Sequence, residues 1–276
     1  MKKFFKQLVV FSLCAAILTQ VLPIYLIITG KYKVIVKGYN IYYALEKSKK
    51  KNKSRKLIIG DSVGYQLFNN TEYNEPINSL TCNQAIGMVG YYILLNNYLS
   101  AGNEIDTLFI LVNPFNLNNN LDQVYTFHYF IKPFYNATYK PYFTETVNTQ
   151  IKKIPYYWLY WFPYILSTNW APDFTPPEVK DYTLLSPITI EYLKKIQELS
   201  AVNNIKIIIL PTPTKNSMKK ELEKFNKKEI ILNGFEKEFE GYFEKMIFVD
   251  DKDFSDDVHL KKPEIYTEFY LNKYLR

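Results

Sequence analysis

The chain has 276 residues, 17% of them aromatic and only nine of them glycine, with a net charge of +7. That length accommodates one large α/β domain with a small appendage, and the aromatic content excludes a disordered chain. The charge is uneven: thirteen cations and the single acid Glu46 precede Leu57, leaving 21 basic and 26 acidic residues after it, a net of −5, which argues against a nucleic-acid-binding domain.

Gln7 to Gly30 is almost wholly apolar, interrupted mainly by Gln20 and Pro23. The run matches the roughly 20 residues of a bilayer-spanning helix, and no small-x-small cleavage site follows it. The expectation is an uncleaved transmembrane anchor over residues 1–30, followed by a basic juxtamembrane linker over 31–56. Within that linker, Tyr32 to Leu45 reads as a helix near the interface or an extension of the anchor. Lys47 to Lys56 reads as a solvated tether, or as a segment resting on anionic head groups. Cys14 lies in the apolar run and Cys82 in a different setting, so neither a disulfide nor a zinc site is expected; no metal or cofactor is called for.

Lys56-Leu57-Ile58-Ile59 reads as a buried parallel strand, and Gly60-Asp61-Ser62 stands at its carboxyl end, where open α/β sheets place ligands. Ser62 is the candidate nucleophile. A loop through Asn74 and Pro76 leads to Asn83, whose plain role is a helix N-cap, and to a helix-like run from Ala85 to Leu99. Asp106 to Val112 is a second buried-strand pattern, ending in Asn113-Pro114-Phe115-Asn116.

From Tyr125 to Trp170 the chain turns aromatic, a pattern read as an insertion at about 125–187 over the catalytic edge of the sheet. Such rings stack on sugars or suit an interface, but packing as lid or core is the commoner use. His128 lies in this run, without a carboxylate at triad spacing. Ala171 to Pro187 is a proline-rich connection. A helix over Ile188 to Val202, a strand over Ile205 to Leu210, a charged helical region over Ser217 to Gly241 breaking near Asn233-Gly234, and a short strand over Met246 to Val249 follow. This alternation predicts an α/β fold with a mostly parallel sheet and helices on both faces.

Asp250, Asp251 and Asp253 form a solvated acidic loop without ordered ligand spacing. Beyond them Asp256 precedes His259 by three residues. A serine hydroxyl needs a base, and an imidazole serves best when a carboxylate fixes its tautomer. Asp256 and His259 supply both on one loop, and a final helix opened by Pro263 would hold His259 over Ser62.

Gly60-Asp61-Ser62 near the start and Asp256-x-x-His259 near the end resemble the SGNH hydrolase (GDSL-like esterase) superfamily, over Leu57 to the C-terminus. The resemblance implies a three-layer α/β/α, flavodoxin-like SGNH domain over 57–276, with Ser62 as nucleophile, His259 as base and Asp256 as orienting acid. It also implies an oxyanion hole. Asn83, with Gly87 as the nearest glycine, stands for the family's second block, and Asn113, with Asn116 as fallback, for its third; neither block keeps the family's usual pattern.

The expected function is a membrane-anchored serine esterase or O-acyltransferase acting on acyl, chiefly acetyl, esters of a cell-envelope glycan. By architecture the chain is similar to anchored proteins of alginate acetylation and teichoic-acid D-alanylation, with a membrane-bound acyltransferase as the implied partner. The same resemblance favours a single-pass cell-membrane protein with its domain on the extracytoplasmic side, although a literal count of flanking Lys and Arg points the other way. The alternatives are a catalytically inactive SGNH-fold binding or scaffold protein and a lipase or thioesterase.

Overall fold

The computed structural model describes residues 2–29, 39–69, 77–123, 125–155, 157–161 and 183–275. The predicted loop through Asn74 and Pro76, residues 31–38 of the linker, and much of the aromatic and proline-rich stretch, 162–182, lie outside them.

Four strands, β1 (Lys56–Gly60), β2 (Ile77–Ser79), β3 (Thr107–Val112) and β4 (Lys206–Pro211), form a parallel sheet in the order β2-β1-β3-β4. Each strand is short; β1, β3 and β4 are predominantly apolar, and their alternate side chains face two cores. Leu57, Ile59, Leu108, Ile110 and Ile209 join the larger one; Ile58, Phe109, Leu111 and Leu210 join the smaller. The molecule is therefore α/β with a parallel central sheet flanked by helices, as the alternation of apolar runs predicts. The predicted strand at Met246 to Val249 shrinks to β6 (Phe248–Val249), which pairs with β5 (Thr214–Lys215) and not with the main sheet.

The larger core lies under the helices Gly87–Ser100 and Pro187–Val202. The smaller contains the helix Ser62–Leu67 and the C-terminal Tyr270 and Leu275. At the far end of the sheet, Arg55 grips Asp106 with two hydrogen bonds and Glu104 with a third, tying the entry of β1 to that of β3.

Two expectations about the N-terminal part are corrected. The helix Tyr39–Ser48 is not an appendage of an anchor: Ile41, Ala44, Leu45 and Ser48 are buried, at a spacing that gives one helical face, and the first three join the larger core. Asn97 donates to Ser48, and Lys47 donates to the carbonyl of Ser79, so the packed domain begins well before Leu57.

The second correction concerns the helix Lys2–Ile28. Among the described residues no helix is long and apolar enough to cross a membrane. The apolar run begins behind Lys2, Lys3 and Lys6 and is broken by Ser12, Thr19, Gln20 and Pro23. The expected membrane anchor over 1–30, and the single-pass location with an extracytoplasmic domain that rested on it, are not supported.

Much of the described part of the aromatic insertion is core, although Tyr125 and Trp158 are exposed. Phe127, Phe130, Ile131, Phe134, Val147 and Ile151 are buried, and Phe130 stacks on Phe134 with ring centroids 5.2 Å apart. His128 is buried among them, edge-on to Phe127, which fits a structural role.

Candidate active site

The site is built at the carboxyl end of β1. Gly60 is required there because a Cβ at this position would collide with the carbonyl oxygen of Leu111 on β3; the next residue, Asp61, donates its N–H to that same carbonyl at 3.1 Å. Asp61 then caps the helix Ser62–Leu67, its Oδ1 accepting from Val63 N–H and Gly64 N–H at 3.0 Å each. Oδ2 accepts from Asn113 N–H at 2.8 Å and from the Asn116 amide at 2.7 Å. The carboxyl is fully buried, and burial pushes its pKa up, against the four donors, which favour the ionised form.

Ser62 is the first residue of the helix, partly exposed, and its hydroxyl has no hydrogen bond among the described residues. Because Asp61 takes the N–H groups of Val63 and Gly64, the Ser62 N–H is the first-turn donor left open among the described residues.

The second part of the site comes from a loop near the C-terminus. Phe254 and Leu260 form an antiparallel bridge that closes the loop. His259 Nδ1 lies 2.7 Å from Asp256 Oδ2, while Asp256 Oδ1 accepts from Val258 N–H at 2.9 Å and His259 N–H at 2.8 Å. Burial pushes the Asp256 carboxyl up, but these backbone donors and the imidazole more than reverse it, to about 2. An ionised carboxylate on Nδ1 leaves Nε2 as the nitrogen able to take a proton, which is the tautomer that a base role needs.

The two parts meet through Gln66, one helical turn after Ser62. Its amide donates to the Leu260 carbonyl at 3.1 Å and accepts from the Leu260 N–H at 2.9 Å. Leu260 directly follows His259, so the loop carrying the imidazole is fastened to the helix that begins at Ser62. No hydrogen bond joins Ser62 to the His259 ring among the described residues.

The predicted oxyanion donors are placed less simply. The ladder beside β1 continues past β2, with Cys82 N–H donating to Gly60 O at 3.0 Å, so Asn83 follows alongside Asp61 and Ser62. Asn83 caps the short turn Gln84–Ile86, its Oδ1 accepting from Ala85 N–H at 2.9 Å. Its N–H faces the Cys82 sulfur, whose pKa burial raises to about 12, and the Gly87 N–H is taken by Gln84 O. Among the described residues this leaves the partly exposed Asn83 amide nitrogen without a partner.

Asn113 is buried; its side chain donates to Thr214 Oγ1 at 3.2 Å and accepts from Phe115 N–H. Asn116 is held by Asp61. Both asparagines after β3 therefore brace the Asp61 turn. Sequence reasoning missed Asp61 and Gln66 as organising residues. Asp61 could have been found as an N-cap, but Gln66 carries no local signal because its partner is 194 residues away.

A cavity of about 640 Å³ opens between the end of the helix Pro187–Val202, the start of β4 and Glu236–Glu240, and contains none of these residues. Among the described residues there is no cluster of three or more His, Cys, Asp or Glu able to hold a metal ion. No protein-family model, no curated protein and no solved structure matches the chain, so the site is judged on its own geometry.

Proposed function

We propose that the chain is a serine esterase or O-acyltransferase of the SGNH type, with a three-layer α/β/α domain, acting on ester-linked acyl groups, chiefly acetyl, of a glycan. The observation that carries this reading is the Asp256–His259 pair fastened by Gln66 to the helix that opens with Ser62. In this mechanism His259 Nε2 takes the proton of Ser62 as its oxygen attacks the ester carbonyl. Asp256 stabilises the resulting imidazolium. The Ser62 N–H and the Asn83 amide are the donors available to the developing oxyanion.

His259 then passes its proton to the departing alcohol as the ester C–O bond breaks. Water, or a second sugar hydroxyl, attacks the acyl-serine after giving its proton to His259, and Ser62 regains that proton as the acyl group leaves. Hydrolysis of p-nitrophenyl acetate and of acetylated xylan by the intact chain tests the reading. Turnover abolished by Ser62→Ala is expected, and turnover unchanged in that variant contradicts it. A long-chain p-nitrophenyl ester preferred over both substrates would favour the lipase or thioesterase reading instead.

A second reading, an SGNH-fold binding protein without turnover, is favoured by the engagement of the Asn113 and Asn116 amides with Thr214 and Asp61. It predicts retention of an acylated glycan without release of acetate.

A further inference from the structure

The loop carrying His259 is closed upon itself. Ser255 donates to the His259 carbonyl through both N–H, at 2.8 Å, and Oγ, at 3.0 Å. Lys261 N–H donates to Asp253 O at 2.8 Å, and Asp256 accepts from Val258 and His259. These bonds fix His259 relative to Asp256. They leave its place relative to Ser62 undetermined, because every partner belongs to the loop.

Placement across the site comes from elsewhere. Leu260 is buried in the smaller core with Val63 and Leu67, which attracts the loop to the helix but sets no register, since apolar contact is not directional. Lys215 on β5 reaches this loop at the fully exposed Asp257, 3.3 Å away, but direction relative to the Ser62 helix comes from Gln66 on that helix. Four residues after Ser62, it shares that residue's helix face, and its amide meets both backbone groups of Leu260, at 3.1 and 2.9 Å, as a neighbouring strand would. A sliding or tilting loop breaks both bonds together.

A side-chain amide suits this contact chemically, because its one donor and one acceptor in a plane match the C=O and N–H of a single residue. A carboxylate would set an acceptor against the Leu260 carbonyl, and a methionine would fill the volume with neither bond.

We infer that Gln66 is a positioning residue that sets the His259–Asp256 loop in line with Ser62 through its paired hydrogen bonds to Leu260. The inference rests on the proposed roles of Ser62 and His259. Its test compares Gln66→Met with Thr267→Val in the intact chain. Thr267 Oγ1 also links the C-terminal segment to the Ser62 helix, donating to Leu67 O at 2.8 Å, but it holds no part of the His259 loop.

Kinetics on p-nitrophenyl acetate and hydrogen exchange at the Leu260 amide are measured for both. Gln66→Met is expected to speed Leu260 exchange and to lower kcat roughly 100-fold, the scale of a misplacement of about 1 Å, with little change in KM. Thr267→Val is expected to leave kcat and Leu260 exchange near wild type. Wild-type kcat in Gln66→Met overturns the positioning role alone, as does an equal loss of kcat in Thr267→Val at matched stability. A wild-type chain without any turnover overturns the reading of the site, and the positioning role with it.

Discussion

The turn at Ser62 and the loop at His259 are each organised by one carboxylate, and the two are built in opposite ways. Asp61 is wholly buried and gathers donors from two separate segments, Val63 and Gly64 after β1, and Asn113 and Asn116 after β3. Asp256 is half exposed and takes all its donors from its own loop, the imidazole among them. The first carboxylate joins the ends of two neighbouring strands that are far apart in sequence, and is part of the architecture. The second is joined only to what it orients, and can be lost with less damage to the fold.

That contrast predicts opposite outcomes for the same substitution. Asp256→Asn is expected to lower kcat/KM for p-nitrophenyl acetate roughly 10⁴-fold, because an amide no longer selects the tautomer or stabilises the imidazolium, while the chain still unfolds cooperatively near the wild-type midpoint. Asp61→Asn turns one buried acceptor into a donor facing donors. It is expected to cost on the order of 3 kcal/mol of stability, read by urea unfolding. Equal stability losses in the two variants would break the comparison.

The smallest expected effect is on the pH dependence of stability. The Asp256 carboxyl is held at about 2, below its ordinary 3.8. Its stabilising contribution is therefore present above pH 3.8 and lost as the pH falls toward 2. The Asp61 carboxyl is raised above 3.8 by burial, so the folded state binds that proton more readily than the unfolded state, and stability from this group is present below pH 3.8 and falls as the pH rises above it. Melting temperatures across the acid range should fall less steeply in Asp256→Asn and more steeply in Asp61→Asn than in the wild type.

Much of the fold is legible in the chain because β1, β3 and β4 are short continuous apolar runs that read as strands buried on both faces. β2 is not legible in the same way. Its Asn78 and Ser79 are buried polar residues, and Ser79 is satisfied by the Phe68 carbonyl and the Thr81 hydroxyl, neither of which a strand pattern announces. The helix Tyr39–Ser48 carries its core spacing openly, but it lies between an apolar run and a lysine-rich stretch, and the expectation of an anchor absorbed it into a linker.

In the site, Asp256 and His259 are legible because they pair at a local spacing. The position of Asn113 after β3 marks it as part of this neighbourhood, but its sequence shows nothing of the bond its amide makes to Thr214, 101 residues away. Asp61 was legible as part of a triplet with Ser62, but the four donors that converge on it depend on β1 and β3 lying side by side.

The central claim is that Ser62 is activated by His259. It is tested most directly by reacting the intact chain with a fluorophosphonate probe and locating the adduct by peptide mass spectrometry. Modification at Ser62 that disappears in His259→Ala is the predicted result; an unmodified Ser62, or one that reacts equally fast without His259, would contradict it.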